Sequence, residues 1–229
     1  MKSSPTKFVD FTEIGNDFRF EKFSEHFLEN LGLNIDRPPA VGPDRKRDLV
    51  ASEPTRFSRR GFRWLVSCKY YEYRIGQNDD KADANKLVEH ACDGFMFVYS
   101  NEITSGLLDS VEAVCSQKNG APYHFFSALD IERELLSDPI HTNLFNQYFP
   151  ESFNKYIGFN NNAKCECDWH DTYYLGEPLH LIAYQKNRQS KIFYKMVCDN
   201  CVRDFCIDLD EQRFRYSGTV LIDEFFPSK

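Results

Sequence analysis

Apolar residues along this chain recur with two periods, and the switching between them predicts an order of helices and strands. Residues 1–16 are a polar lead-in with one short extended piece at Phe8–Phe11. Phe20, Phe23, Phe27, Leu28 and Leu31 then follow the three- and four-residue spacing of a helix face. Asn16 or Asp17 is placed to cap that helix and Gly32 to end it. Pro38-Pro39 and Gly42-Pro43 break the chain before a short strand running from Asp48 through Leu49-Val50. A polar, Arg-rich connection over Ser52–Gly61 leads into the strand Arg63–Tyr71. Alternation puts Leu65, Ser67 and Lys69 on one face of it and Trp64, Val66 and Cys68 on the other.

The pattern then predicts a helix over Asp79–Cys92, its first turn made acidic by Asp79-Asp80, and a buried strand over Gly94–Ser100. A helix over Ile103–Ser116 carries Leu107, Leu108, Val111 and Val114 on one side, with Gly120 beyond its end. Tyr123–Phe126 reads as a strand. Ser127 and Asp130 form a capping box for a helix reaching Leu136. Beyond it come a short helix between Ile140 and Pro150, a turn at Asn160–Asn162, strands at His180–Tyr184 and Lys191–Val197, and an apolar tail, Val220–Phe226. Such an order describes an α/β layered core with a mixed sheet over 17–137, a helical connector over 138–160 and a small β-rich module over 161–229.

Composition narrows the class. The chain has 229 residues, enough for a full core, and 41% hydrophobic with 15% aromatic residues is globular. No apolar run approaches a membrane span, and Met1–Pro5 lacks a hydrophobic signal core, so a cytoplasmic protein with no membrane partner is expected. Net charge is −7, yet Arg37–Arg74 holds ten Lys/Arg against four Asp/Glu. Arg45, Lys46, Arg47, Arg59 and Arg60 make a local basic field of the kind that holds a phosphate backbone, as an ordinary solvated loop also could. Lys69, a charge on a strand that should otherwise be core, would meet Asp48 if Asp48 lies on the neighbouring strand. One ammonium and one carboxylate at one place suit a divalent metal and a phosphate; a strand-end lysine and an arginine-paired aspartate is the plainer alternative.

Phe20-Glu21-Lys22-Phe23, Arg47-Asp48-Leu49-Val50, Val66-Ser67-Cys68-Lys69 and Gly94–Ser100 resemble the PD-(D/E)xK restriction-endonuclease-like superfamily, in its Mrr-like branch, over about residues 17–137. The resemblance implies a restriction-endonuclease-like mixed sheet flanked by helices and a metal-dependent endonuclease. Its expected substrate is double-stranded DNA and its setting restriction or antiphage defence, as a homodimer or with a defence partner. It implies that Asp48 and the main-chain carbonyl of Cys68 bind Mg²⁺ or Mn²⁺, that Glu21 faces the site, and that Lys69 orients the water or steadies the transition state. The family carries Glu, Asp or Gln where this chain has Ser67. Ser67 can hold a metal-bound water but cannot replace a carboxylate's charge, so Glu21, Asp44, Glu53 or Glu72 would have to supply it. The alternative is a catalytically silent module that binds nucleic acid or a defence partner.

Eight cysteines in a chain of this size read as reduced thiols rather than a disulfide scaffold. Cys165-x-Cys167 and Cys198-x-x-Cys201, some thirty residues apart with two strands between them, can place four thiolates around Zn²⁺ in a zinc-ribbon-like module. His170 could replace one thiolate, Cys206 is a spare, and buried unliganded thiols are the alternative. No helix start follows Cys198 in the pattern, which argues against a redox pair.

Overall fold

The computed structural model describes residues 5–39, 49–55, 60–117, 120–158, 165, 167, 179–217 and 220–221. The chain divides into two compact units, one of Met1–Lys7 and Ile14–Ile131, the other of Phe8–Glu13 and Glu132–Lys229.

The first unit is built on a five-stranded mixed sheet. Its strands are β1 (Asn34–Arg37), β2 (Leu49–Ser52), β3 (Arg63–Lys69), β4 (Gly94–Tyr99) and β5 (Tyr123–Phe126), in that spatial order. The pairs β1/β2 and β2/β3 are antiparallel; β3/β4 and β4/β5 are parallel, as their helical crossovers require. Helix α1 (Asp17–Asn30) starts where Asn16 accepts a hydrogen bond from the Arg19 amide (2.9 Å), and it buries Phe20, Phe23 and Phe27. Phe27 meets Phe126 edge-on at 5.3 Å, which puts α1 on the sheet face of Val98 and Cys68. The other face, carrying Leu65, Phe95, Phe97 and Tyr99, packs under α2 (Ala84–His90) and α3 (Ser105–Gln117) through Leu87, Leu107, Val111 and Cys115. The result is helix, mixed sheet, helix. One half of the expected capping box forms at the start of α4 (Ala128–Leu135): Asp130 accepts from the Ser127 amide (3.2 Å), and the Ser127 hydroxyl donates to the same carboxylate oxygen (2.8 Å).

Two local readings are corrected. The helix expected over Asp79–Cys92 begins only at Ala84, capped by Asp83, and ends at Ala91 in the left-handed region. Asp79 and Asp80 sit in the preceding turn, where their carboxylates take local donors instead of lying in a first helical turn. Strand β1 was not foreseen, because only Ile35 in it is apolar and it is an exposed edge.

Gly94 shows why β4 must start with glycine. A Cβ there would lie 2.6 Å from the Pro122 carbonyl oxygen and 3.0 Å from the Trp64 ring. Gly94→Ala is therefore expected to destabilise the first unit by about 1–3 kcal/mol, the range for overpacking. Thermal denaturation of the variant checks this, and an unchanged midpoint would mean that the β4–β5 corner has room to spare.

In the second unit, α5 (Thr142–Tyr148) and α6 (Pro150–Ile157) replace the single helix expected before Pro150. Pro150 opens α6 rather than stopping a helix, since at the first helical position its missing N–H is no loss. Phe145, Phe149 and Phe153 pack together across the two helices. The Glu132 carboxylate accepts the amides of Phe8 (2.7 Å) and Val9 (2.8 Å), and Glu13 accepts those of Glu151 and Ser152, which ties Phe8–Glu13 into this unit. A short 3-10 turn, Phe11–Ile14, stands where part of an extended piece was expected.

Beyond α6 lies an antiparallel sheet around a central strand, β6 (Leu179–Gln185). β7 (Phe193–Cys198) pairs along one edge of it; β8 (Arg215–Tyr216) and β9 (Val220–Leu221) pair along the other. Helix α7 (Asp199–Glu211) follows β7 without a break and packs Val202, Phe205 and Leu209 on the sheet. The module is thus β-rich with a substantial helix, not strands alone. The expected turn at Asn160–Asn162 and the tail beyond Leu221 lie outside the described residues.

Candidate functional site

Strand alternation and the parallel β3/β4 register bring Ser67 beside Phe97 and Lys69 beside Tyr99 on one sheet face. There they line a cavity of about 560 Å³ together with Leu65, Phe95, Asp79, Asp80, Lys81 and Lys86. The turn before α2 closes it. Asp79 accepts the Gly76 amide (2.8 Å) and the Tyr73 hydroxyl (3.2 Å); Asp80 accepts the Tyr99 hydroxyl (2.9 Å) and the Lys81 amide (2.8 Å). Each carboxylate oxygen keeps a lone pair beyond these bonds. Oxygen donors and ammonium groups thus share one concave space, which suits a hard cation and a phosphate.

The other expected residues distribute differently. Asp48, Asp44, Arg45, Lys46, Arg47 and Arg59 lie outside the described residues. Glu21 is on α1, which packs on the opposite sheet face, and it does not line the cavity. Glu53 accepts from the Trp64 indole N–H (3.3 Å), also on that opposite face, and Glu72 is exposed. Cys68 points its buried thiol away from the cavity. Arg60 donates to the Ala91 carbonyl (2.7 Å) and to both oxygens of Asp93 (2.9 Å), bracing the turn between α2 and β4. The carboxylates that do line the cavity are Asp79, Asp80 and Asp83, the last of which caps α2, whereas the sequence pattern places Asp79 and Asp80 in a first helical turn.

The cysteines form the second constellation. The sulfurs of Cys165, Cys167, Cys198 and Cys201 all lie within 4.8 Å of one another, and those of Cys167 and Cys198 are 3.6 Å apart. Zn–S bonds of about 2.3 Å would set tetrahedral S···S edges near 3.8 Å, so the four could hold a metal such as zinc with little rearrangement. Contrary to the sequence expectation, a helix does start here: Cys198 is the cap residue of α7 and Cys201 lies in its first turn. Even so, burial pushes the Cys198 thiol up, offset in part by the Cys201 amide, and burial with the crowding of Cys167, Cys198 and Cys165 pushes Cys201 up. A cation would reverse this by binding thiolates and releasing protons, so metal occupancy falls as pH falls. Cys206 is outside the cluster, and His170 is outside the described residues.

No protein-family model matches the chain, and no curated protein matches it. Among solved structures, the DNA modification-dependent restriction endonuclease AspBHI aligns over 68% of this chain and 41% of its own, at 15% identity and a TM-score of 0.42. The chain thus spans about two-fifths of that protein's length. A likeness this distant does not identify the chain. Among the described residues, no helix is long and apolar enough to cross a membrane.

Proposed function

We propose that the chain is a metal-dependent nuclease that hydrolyses phosphodiester bonds of DNA, in a restriction or antiphage setting, with its site in the cavity of the first unit. The observation that carries the reading is the grouping of Lys69, Ser67, Asp79 and Asp80 around one cavity on a mixed α/β sheet. The sequence resemblance around Val66-Ser67-Cys68-Lys69 gives that grouping its chemistry. A bound Mg²⁺ or Mn²⁺ would polarise the phosphoryl oxygen and lower the pKa of a coordinated water. Lys69 would hold the developing negative charge, Ser67 would hydrogen-bond the water, and Asp48, with Asp79 or Asp80, would supply carboxylate ligands. The four cysteines would hold a structural zinc that completes the second unit.

A specific residue favours the rival reading. Ser67 carries no charge where the resembled family has an acid or amide, so the chain could be a silent nucleic-acid-binding module. Plasmid cleavage with and without added Mg²⁺ separates the two; omitting Mg²⁺ is better than chelation, which would also strip zinc. Ser67→Glu is expected to raise the cleavage rate about tenfold or more by restoring a metal-binding carboxylate. Wild-type cutting that requires Mg²⁺ supports the nuclease. No cutting by wild type or by Ser67→Glu, with salt-sensitive DNA binding retained, supports the silent module.

A further inference from the structure

On the loop that leaves β3, the rings of Tyr71 and Tyr73 stack at 5.0 Å with an interplanar angle of 22°. Tyr73 is nevertheless 48% exposed. We propose that Tyr73 is a stacking platform for one unpaired base of the substrate strand, with the phosphate beside that base entering the cavity that Lys69 lines. This role rests on the nuclease reading of that cavity, and it defines the substrate as single-stranded or locally opened nucleic acid.

The exposed ring is held in place before any partner arrives. The Tyr71 amide donates to the Ser100 hydroxyl (2.8 Å), which in turn donates to the Tyr71 carbonyl (3.0 Å), and Ser100 is buried. On the other side of Tyr73, Ile75 is fully buried; its amide donates to the Glu102 carbonyl (2.9 Å) and its carbonyl accepts the Thr104 amide (3.0 Å). The loop is thus pinned two residues before Tyr73 and two residues after it. The Tyr73 ring rests one face on Tyr71 and donates its hydroxyl to Asp79 (3.2 Å). Among the described residues, no second ring lies against it, so the other face is open to a planar partner. A ring fixed in this way loses little conformational freedom on binding, and stacking on it contributes correspondingly more affinity.

Asp79 links the platform to the cavity. It lines that space with Lys69, Lys81 and Lys86, so the hydroxyl end of the Tyr73 ring stands at the rim. Tyr71 and Ser100 follow the carboxyl ends of the parallel strands β3 and β4, the side of an open α/β sheet where ligands gather. The three ammonium groups suit a phosphate, which favours a nucleotide over an apolar protein side chain as the occupant. A strand with its phosphate among them would carry the neighbouring base across the Asp79 rim to the open face of Tyr73. A base inside a duplex is covered on both faces by its neighbours, so only an unpaired one can lie there. The platform offers a π-face and reads no base edge, so it selects unpaired over paired bases rather than one base over another.

Fluorescence anisotropy tests this role, with the intact chain titrated onto labelled thymidine and abasic oligomers of about 12 nucleotides and onto a duplex of equal length, without added Mg²⁺. The thymidine oligomer is expected to bind about tenfold more tightly than the abasic one. Tyr73→Ala should remove that advantage and leave the abasic oligomer and the duplex unchanged. Tyr73→Phe, which keeps the ring and loses the bond to Asp79, should retain most of it. Lys81→Ala should weaken the thymidine and abasic oligomers alike and reduce the salt slope by about one. Equal affinity for thymidine and abasic oligomers, or equal loss on both with Tyr73→Ala, overturns base stacking. A loss with Tyr73→Phe as large as with Tyr73→Ala overturns it too, and makes Tyr73 only the holder of Asp79. A duplex that loses as much as the thymidine oligomer overturns the unpaired substrate, and no change with Lys81→Ala takes the phosphate out of the cavity. Failure to bind any of the three overturns the proposal. The titrations read no cleavage. Tyr73-dependent preference for thymidine in a chain that cuts nothing, as wild type or as Ser67→Glu, would sink the nuclease and keep the platform. Mg²⁺-dependent cutting without that preference would sink the platform and keep the nuclease.

Discussion

Removing the metal, or making Cys198→Ser, is expected to unfold the cysteine module outright. The buried apolar cluster between α7 and the sheet is small, consisting of Ile182, Val197 and Leu209 beside Cys165 and Cys198 themselves. So small a core gains little from burial, at about 1.5–3 kcal/mol for each large side chain. A structural zinc contributes about 10–16 kcal/mol in comparable small modules, which exceeds the net stability of most domains. Losing one thiolate of four also leaves three crowded sulfurs without their cation. Calorimetry with metal analysis should show one zinc per chain in the wild type, none in Cys198→Ser, and loss of the cysteine module's share of the unfolding enthalpy. Cys206→Ser, outside the cluster, serves as the control and should shift stability by less than about 1 kcal/mol. Metal-free protein with an unchanged transition would return the four cysteines to the status of buried thiols.

Lys69→Ala is expected to abolish cleavage, by about 10²–10³-fold, with little effect on folding. The ammonium stands at the end of β3, half-buried on the cavity wall, and its chemical role would be to meet charge that develops only as the phosphorus is attacked. Lys69→Arg should not rescue, because a planar guanidinium cannot occupy the place of a compact ammonium. If wild-type turnover is slow, the comparison is made in the Ser67→Glu background. Activity that survives Lys69→Ala in both backgrounds would move the chemistry away from this cavity. Asp80→Asn in parallel asks whether a carboxylate on the turn has taken over part of the missing charge. It keeps an acceptor for the Tyr99 hydroxyl and removes the negative charge together with the oxygen that accepts the Lys81 amide.

Much of the first unit was legible because its elements are strongly patterned. The Phe20–Phe27 stripe, the unbroken apolar run Gly94–Tyr99 and the Ser127–Asp130 box each have one physical solution. Alternation on β3 also assigned Ser67 and Lys69 to one face, as the register shows. What escaped were places where local chemistry competes with pattern. Asp79 and Asp80 look like helix-start acids, but Gly76, Tyr73 and Tyr99 offer their carboxylates donors in a turn. Pro150 looks like a stop, yet it is equally good at a helix start. Helix α7 is masked in the sequence because its cap and first turn carry the ligand-spaced Cys198 and Cys201, although Val202, Phe205 and Leu209 carry the three- and four-residue period. The packing of Phe8 on Tyr156 could not be read at all, since the two are about 150 residues apart and meet only in the folded unit.

The tie between Phe8–Glu13 and the residues from Glu132 onward makes the second unit discontinuous in the chain, with consequences for its birth on the ribosome. These six residues emerge about 120 residues before their partners, a wait of roughly 6–24 s at about 5–20 residues per second. Throughout that interval Val9 and Phe11, both buried in the finished structure, have nothing to pack against, while the intervening unit has everything it needs to fold. Nascent protein is therefore exposed to aggregation or chaperone capture at Phe8–Glu13 until Glu132 and the residues after it have emerged. A recombinant fragment starting at residue 132 would lack the strap that the Glu132 and Ser152 groups hold. A circular permutant that joins residues 8–13 to the second unit would synthesise strap and partners together, and would suit isolated study of that unit.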